Sequence, residues 1–312
     1  MILLVIVVIG IFFAVAAPNF LGFYALSNTL TFTSVYGIVC IGIAFLMISG
    51  EFDLSVGSNL AVCGYVFIFS LRGGVPPLIA MVMTIAAGGI LGLFNGLVVT
   101  WSGIPSFIAT LGTMLAYRGV ANACAQGRSI AYSPPQKPLL FDILNGYAEP
   151  INRLSDPAGN IRVSVVWFVV VVIIMTLVLM RTRYGNWTFA TGGNYLGALA
   201  QGVPTKRVKL INFVVSGLLV GFASAILFAQ RSTMYALLGE GLELNVVAAA
   251  VIGGVSLNGG IGTIVGAGLG MLLLTMVEQG LVLMGVPNDV FRGIAGAIIL
   301  VSVIAHTYFA RD

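Results

Sequence analysis

Charge is what this chain most lacks. Lysine, arginine, aspartate and glutamate together make up 8% of its residues, against about a quarter in an ordinary soluble domain. Hydrophobic residues reach 59% and mean hydropathy is +1.08. A water-soluble globule is excluded, and an integral membrane protein is indicated. Histidine is nearly missing too: His306, close to the C-terminus, is the only one, which argues against a histidine-based proton relay. Three cysteines, Cys40, Cys63 and Cys124, fall within or at the ends of apolar runs without paired spacing. Neither a disulfide framework nor a zinc site is expected from them.

Nucleotide-binding signatures are also absent. No Gly-x-x-x-x-Gly-Lys-Ser/Thr loop occurs, and Gly259–Gly260–Ile261–Gly262 lacks the lysine that would meet a phosphate. With one histidine and few carboxylates, no catalytic triad is supported, and the chain is not expected to be an enzyme. The net charge of +4 reflects orientation in a bilayer and gives no sign of nucleic-acid binding.

What is present is a series of long apolar runs. At a rise of about 1.5 Å per residue, about 20 residues cross the hydrocarbon core. Candidate spans are Met1–Ala17, Leu30–Ser49, Leu54–Leu71, Leu78–Thr100, Ser106–Cys124, Val163–Met180, Leu210–Phe228, Leu244–Leu257, Thr263–Met284 and Asp289–His306. They are too long for barrel strands and lack period-two alternation, so the fold class is all-α. The expectation is one polytopic membrane helix bundle over residues 1–312 with about ten transmembrane segments. Leu244–Leu257 is short and runs into a glycine-rich stretch, so it is the candidate for a broken or partial span. Met1–Ala17 has no basic start and is soon followed by another apolar run, so it reads as a first span rather than a cleaved leader.

Positive charge gathers in one place. Residues 181–209 hold Arg181, Arg183, Lys206, Arg207 and Lys209 with no acid, whereas the polar stretch 126–162 nearly balances its arginines and lysine with Asp142, Glu149 and Asp156. By the positive-inside rule the first stretch is a cytoplasmic loop and the second an external one. Ten crossings then place both termini in the cytoplasm.

Glycines recur every four residues at Gly88, Gly92 and Gly96, at Gly217 and Gly221, and at Gly262, Gly266 and Gly270. Such faces let helices approach closely, which is a packing role, with sliding during a transport cycle as the functional alternative. Asp53 stands two residues before Ser55 at the start of an apolar run, where helix capping explains it and a gate is the sharper reading. Arg118, Asn95, Glu278 and Arg292 lie on or near apolar runs and are expected to face protein or water.

Four stretches resemble the permease subunits of bacterial sugar ABC importers, the branch that includes ribose, xylose and autoinducer-2 permeases. They are Asp53–Leu54–Ser55–Val56–Gly57–Ser58; Pro105 to Thr113 with Arg118–Gly119; Gly192–Gly193–Asn194 with Gly202–Val203 and Lys206–Arg207–Val208; and Val251–Ile252–Gly253–Gly254 through to Gly262. The resemblance implies a coupling helix for an ATPase subunit at Asn194, Tyr195, Leu196, Ala198, Leu199, Ala200 and Gly202. It implies a gate motif at Asp53, Leu54, Ser55, Gly57 and Ser58. Candidate translocation-path residues are Asn59, Asn95, Phe107 and Thr110.

The resemblance implies that the membrane is the inner membrane of a bacterium, and the implied machine imports a monosaccharide or related small polyol by alternating access. Its partners are an ABC ATPase subunit, a periplasmic sugar-binding protein and a second permease chain, as homodimer or heterodimer, all about the lipid bilayer. No cofactor is expected on this chain, ATP and Mg belonging to the ATPase. Three departures stand out: Leu196 and Leu199 occupy usual Glu and Arg positions, Glu51 replaces a usual Gly, and Ile261 stands where a basic residue is common. The rival readings are an ion-coupled secondary transporter and a permease of a branched-chain amino-acid importer.

Overall fold

The computed structural model describes residues 2–154 and 158–287, with 290, 293, 294 and 296 beyond them. The expected span Asp289–His306 falls almost wholly outside the described residues, as do Arg292 and His306. The described chain is mostly helical, with one two-stranded ribbon and an isolated bridge between Tyr147 and Arg162. In order it runs α1 (Ile2–Ala16), α2 (Phe23–Ile48), α3 (Val56–Arg72), α4 (Pro77–Ser102), α5 (Ser106–Ala125), β1 (Ile130–Ala131), α6 (Leu139–Asn145) and α7 (Glu149–Asn152). It continues with α8 (Ser164–Arg181), α9 (Arg183–Gly193), α10 (Tyr195–Ala200), α11 (Thr205–Arg231), β2 (Thr233–Met234), α12 (Leu242–Ile252) and α13 (Ile264–Leu283).

Among the described residues, α2, α4, α8, α11 and α13 are long and apolar enough to cross a membrane, while α1, α3 and α12 are shorter. Helix α5 has the length but carries Thr110, Thr113, Arg118 and Asn122. The expected count of about ten full crossings is therefore not established. At 11 residues, α12 rises only about 16 Å, half of the hydrocarbon thickness, in keeping with the partial span expected there. Two boundaries need correcting. Helix α2 starts at Phe23 rather than Leu30, because Ser27, Thr29, Thr31 and Thr33 are buried and bond within the protein. Helix α11 starts at Thr205 rather than Leu210, so Lys206, Arg207 and Lys209 are helical rather than in a loop.

Helix α2 is the central post, with almost every residue from Thr33 to Ile48 buried. By contrast, α8 buries only Ser164, Val171, Met175 and Leu179, one narrow face at helical spacing. The glycine ladders pack, as expected. On α4, Gly88 and Gly92 meet the backbone of α11 at Gly217, Gly221 and Phe213. A Cβ at Gly221 would lie 2.8 Å from the Cα of Ile85, so this seam is backbone against backbone. Gly266 and Gly270 seat α13 against α12 at Gly253 and Ala249. Gly262 is not part of that ladder: it lies in the loop before α13.

The stretch 126–162 is folded rather than a bare loop. It contains β1, α6 and α7, and β1 pairs antiparallel with β2 through Ile130↔Met234 and Ala131↔Thr233. Phe141 of α6 packs into an aromatic cluster with Phe67, Tyr132 and Phe228, its ring centroid 5.9 Å from that of Phe228. At the opposite end of the bundle, Phe45 of α2 meets Asn212 of α11. Thus the C-terminus of α2, the start of α11 and the α9–α10 corner share one end.

Candidate functional site

The α9–α10 corner is built by local capping. Thr182 caps α9 by accepting from Gly185 N–H at 3.2 Å. Asn194 caps α10 by accepting from Gly197 N–H at 2.8 Å, the exchange that an Asn at an N-cap provides. Gly202, with φ +78°, turns the chain out of α10 as left-handed termini do. The resulting short helix buries Ala198 and half-buries Tyr195, but leaves Leu196 75% and Leu199 52% exposed. Asn194, Ala200 and Gly202 are exposed as well. Two exposed leucines on a six-residue helix are an unpartnered apolar tip among the described residues.

Directly behind this tip, three glycine turns interlock. Gly50 follows α2, Gly192–Gly193 end α9, and Gly259–Gly260 lie between α12 and α13. Gly260 N–H donates to Ile48 O at 2.8 Å. A Cβ on Gly192 would collide with that same carbonyl oxygen and lie 2.7 Å from Gly260 N; one on Gly259 would lie 3.0 Å from the Cα of both Gly50 and Gly192. The glycines of two widely separated motifs are therefore explained by one close approach of backbones.

Next to this knot, Lys209 Nζ pairs with Glu51 Oε1 at 2.5 Å and stands 4.9 Å from the centroid of the Tyr195 ring. Neither Glu51 nor Lys209 stood out as a pair in the sequence. The available signal was charge balance: Glu51 and Asp53 lie between apolar runs with no cation nearby in sequence, and residues 181–209 hold cations without acids.

The linker from Gly50 to Ser55 continues into a buried polar network. Asp53, fully buried, accepts from Ser55 N–H at 2.8 Å and Ser55 Oγ at 2.6 Å. Asn95 Nδ2 of α4 donates to both Asp53 carboxylate oxygens at 3.2 Å and to Ser55 Oγ at 2.8 Å. Tyr117 of α5 donates to Asn95 Oδ1 at 3.1 Å. The expected capping role is modified: Asp53 satisfies the residue before α3, not the helix's own first turn. Burial pushes the Asp53 carboxyl above the ordinary carboxylate range, and the Ser55 and Asn95 hydrogen bonds only partly offset this. Helix α5 holds the same linker, since Ser106 Oγ accepts from Phe52 N–H at 3.0 Å and Thr110 Oγ1 from Leu54 N–H at 3.1 Å.

The expected gate and path residues thus separate. Asp53, Leu54, Ser55, Gly57, Ser58, Asn59, Asn95 and Thr110 are all buried inside the protomer. Asn59 Oδ1 accepts from Cys63 Sγ at 3.1 Å, and its Nδ2 has no partner. Gly57 lies against Gly239 in the segment before α12. Phe107 alone of the expected path residues is outward-facing, 54% exposed. It lines a cavity of about 610 Å³ together with Glu51, Trp101, Tyr195, Lys206 and Lys209. Arg118 does not reach this region: it donates to the carbonyls of Ala236 and Leu238 at 2.7 and 3.0 Å, pinning the segment before α12.

Comparisons with known proteins show the family of the chain. The family profile described as branched-chain amino acid transport system / permease component matches residues 25–303. The chain is 33% identical over 271 residues to the autoinducer 2 import system permease protein LsrC of Photorhabdus laumondii, covering 85% of this chain and 77% of the relative. It is 31% identical over 296 residues to the protein of that name from Salmonella typhi, covering 94% and 81%. The one from Yersinia enterocolitica is 32% identical over 277 residues, covering 86% and 73%. No solved structure was found to match the chain.

Proposed function

The chain belongs to the family of branched-chain amino acid transport system permease components, and from that premise we propose that it is the membrane-spanning subunit of an ATP-driven importer for a small, sugar-like polar molecule. The cargo favoured is autoinducer 2, which the permeases that it resembles are named for importing. The single observation that carries the importer reading is the α10 tip: exposed Leu196 and Leu199 on a short capped helix, seated on the interlocked turns at Gly50, Gly192 and Gly259. A partner pushing on that tip moves backbone that continues from α9 and is already in contact with the end of α2 and the Gly259–Gly260 turn.

In this reading a nucleotide-hydrolysing subunit covers the α10 tip and carries ATP and Mg. A periplasmic binding protein docks at the opposite end, on the folded 126–162 stretch. Residues 1–312 act as one permease domain in the bacterial inner membrane, with the acid-free basic end and both termini in the cytoplasm. A second permease chain completes the translocator. Cargo passes by alternating access along the side that bears Phe107, while the Asp53–Asn95 network holds α3, α4 and α5 together. The ATPase supplies the chemistry, and the permease supplies two states whose balance its partners shift.

The test is uptake. Cells carrying this chain with its neighbouring transport genes should accumulate labelled autoinducer 2, and deletion of the ATPase gene should abolish it. Uptake that persists without the ATPase would favour an ion-coupled carrier. Accumulation of leucine instead would move the cargo to the amino-acid class that the family description names.

A further inference from the structure

Lys209 occupies an unusual place for a cation. It lies in the second turn of α11 with a side chain only 20% exposed, where a cation needs partners. Two groups hold it there. The Glu51 carboxylate, 9% exposed, pairs with its ammonium, and the Tyr195 ring lies under that ammonium, 4.9 Å from it to the centroid. Glu51 belongs to the linker after α2, Tyr195 to α10 and Lys209 to α11, so three elements meet at one ammonium group.

The linker's other polar attachments go elsewhere. Phe52 and Leu54 are held by Ser106 and Thr110 of α5, and Asp53 by Asn95 of α4. Among the described residues, no other hydrogen bond or ion pair joins residues 50–55 to residues 194–212. The two contacts of Lys209 also differ in stiffness. Separating it from Glu51 would strand a carboxylate that has little access to water, which is strongly resisted. A cation–ring contact is softer and yields first.

We propose that Lys209 is a positioning residue of the importer. It stays clasped to Glu51 and converts movement of the Tyr195 ring on α10 into movement of the 50–55 linker. The linker passes that movement to α4 and α5 through Asn95, Ser106 and Thr110, and so to the 610 Å³ cavity that Glu51, Tyr195 and Lys209 help to line. This rests on the importer reading above and adds to it the residue pair through which α10 acts.

The experiment uses the complete complex of this chain, its ATPase and its binding protein in proteoliposomes, with labelled autoinducer 2 as the probe. The readout is uptake per ATP hydrolysed. Glu51→Gln and Lys209→Met should each lower that ratio by about fivefold to about 150-fold, the usual range of coupling between sites. Lys209→Arg, which keeps the charge and stacks on an aromatic ring, should stay close to wild type. The exchange variant Glu51→Lys/Lys209→Glu should recover part of the ratio lost in the single variants. An unchanged ratio in Glu51→Gln and Lys209→Met overturns the proposal. So does a proportional fall of uptake and hydrolysis that the exchange does not relieve, because that marks damage to folding alone. If Lys209→Met gives no folded complex, Glu51→Gln, nearly isosteric, decides by the same ratio. Failure of the importer reading is seen separately, as a wild-type chain that captures no ATPase.

Discussion

Replacing Gly192 by alanine adds one methyl group at the densest backbone crossing near α10. That Cβ would collide with the carbonyl oxygen of Ile48 and lie 2.7 Å from Gly260 N and 2.9 Å from the Ile48 carbonyl carbon. Real Cβ atoms essentially never come within 3.0 Å of such neighbours, and neither neighbour here is a side chain able to swing away. The Gly260 N–H to Ile48 O hydrogen bond, 2.8 Å long, has to open. Overpacking costs about 1–3 kcal/mol and the weakened hydrogen bond about 0.5–1.5 kcal/mol. The sum is about 1.5–4.5 kcal/mol, which at an unfolding entropy of about 2.1 cal/mol/K per residue lowers Tm by about 2–7 °C in a chain of this size. Gly193→Ala is the internal control: its nearest neighbour, the Cα of Gly260, is 3.6 Å away, and alanine favours the helix. Melting of both variants in detergent, followed by ATPase capture on the purified chains, checks the pair. The reasoning is refuted if Gly192→Ala melts with wild type, or if Gly193→Ala is destabilised as much.

Leu199→Asp places a charge on the exposed tip of α10 without touching the buried Ala198, so folded yield should hold while co-purification of the ATPase falls; normal capture would remove α10 from the contact. Gly266→Leu drives a side chain into the Gly253 backbone, and its Cβ would also crowd Thr263 Oγ1 at 2.6 Å, so folded yield should drop sharply; wild-type yield would contradict the α12–α13 seam. Asn95→Leu strips the amide donor from both Asp53 oxygens and leaves buried acceptors short of a partner, which should cost about 1–3 kcal/mol, read as a lower Tm. Because Asp53 is held above the ordinary carboxylate range, the folded chain keeps this proton at pH values where the unfolded chain has lost it. Stability should then fall as pH rises from that ordinary range through the raised value, and Asp53→Asn should flatten the profile; melts between about pH 4 and pH 8 would show either result.

The helices were legible because their signal is local. A run such as Ser164–Arg181 states its own length and apolarity, and the glycines of α4 and α11 state by their spacing that two faces approach closely. The shortness of α12 was legible for the same reason, since the apolar run Leu244–Leu257 is too short to span about 30 Å; the helix itself, at 11 residues, is shorter still. Boundaries failed where polarity misled. Ser27, Thr29, Thr31 and Thr33 look like the end of a span, yet each hydroxyl returns its hydrogen bond to a backbone carbonyl within the protein. Such residues cost an apolar helix little. Likewise the folded 126–162 stretch depends on Phe141 finding Phe67 and Phe228, partners that no local pattern announces.

The candidate site was legible as motifs but not as an assembly. Gly192–Gly193–Asn194 and Asn258–Gly259–Gly260 stand some 65 residues apart in the chain, and only the fold shows that both exist to admit the Ile48 carbonyl. Glu51 and Lys209 are separated by 158 positions. Each taken alone has an ordinary explanation, the acid as a helix-end charge and the lysine as part of an orientation signal. Together they are a nearly buried ion pair, and a pair of that kind is a poor source of net stability when a well-packed apolar pair would do as well. Position is what it supplies. Charge is scarce in this chain, and an acid and a lysine of the α9–α11 region are spent on joining the 50–55 linker to the corner that carries α10. On the proposed reading the orientation signal and the coupling contact share a residue, so a charge-removing change at Lys209 should disturb transport more than membrane topology.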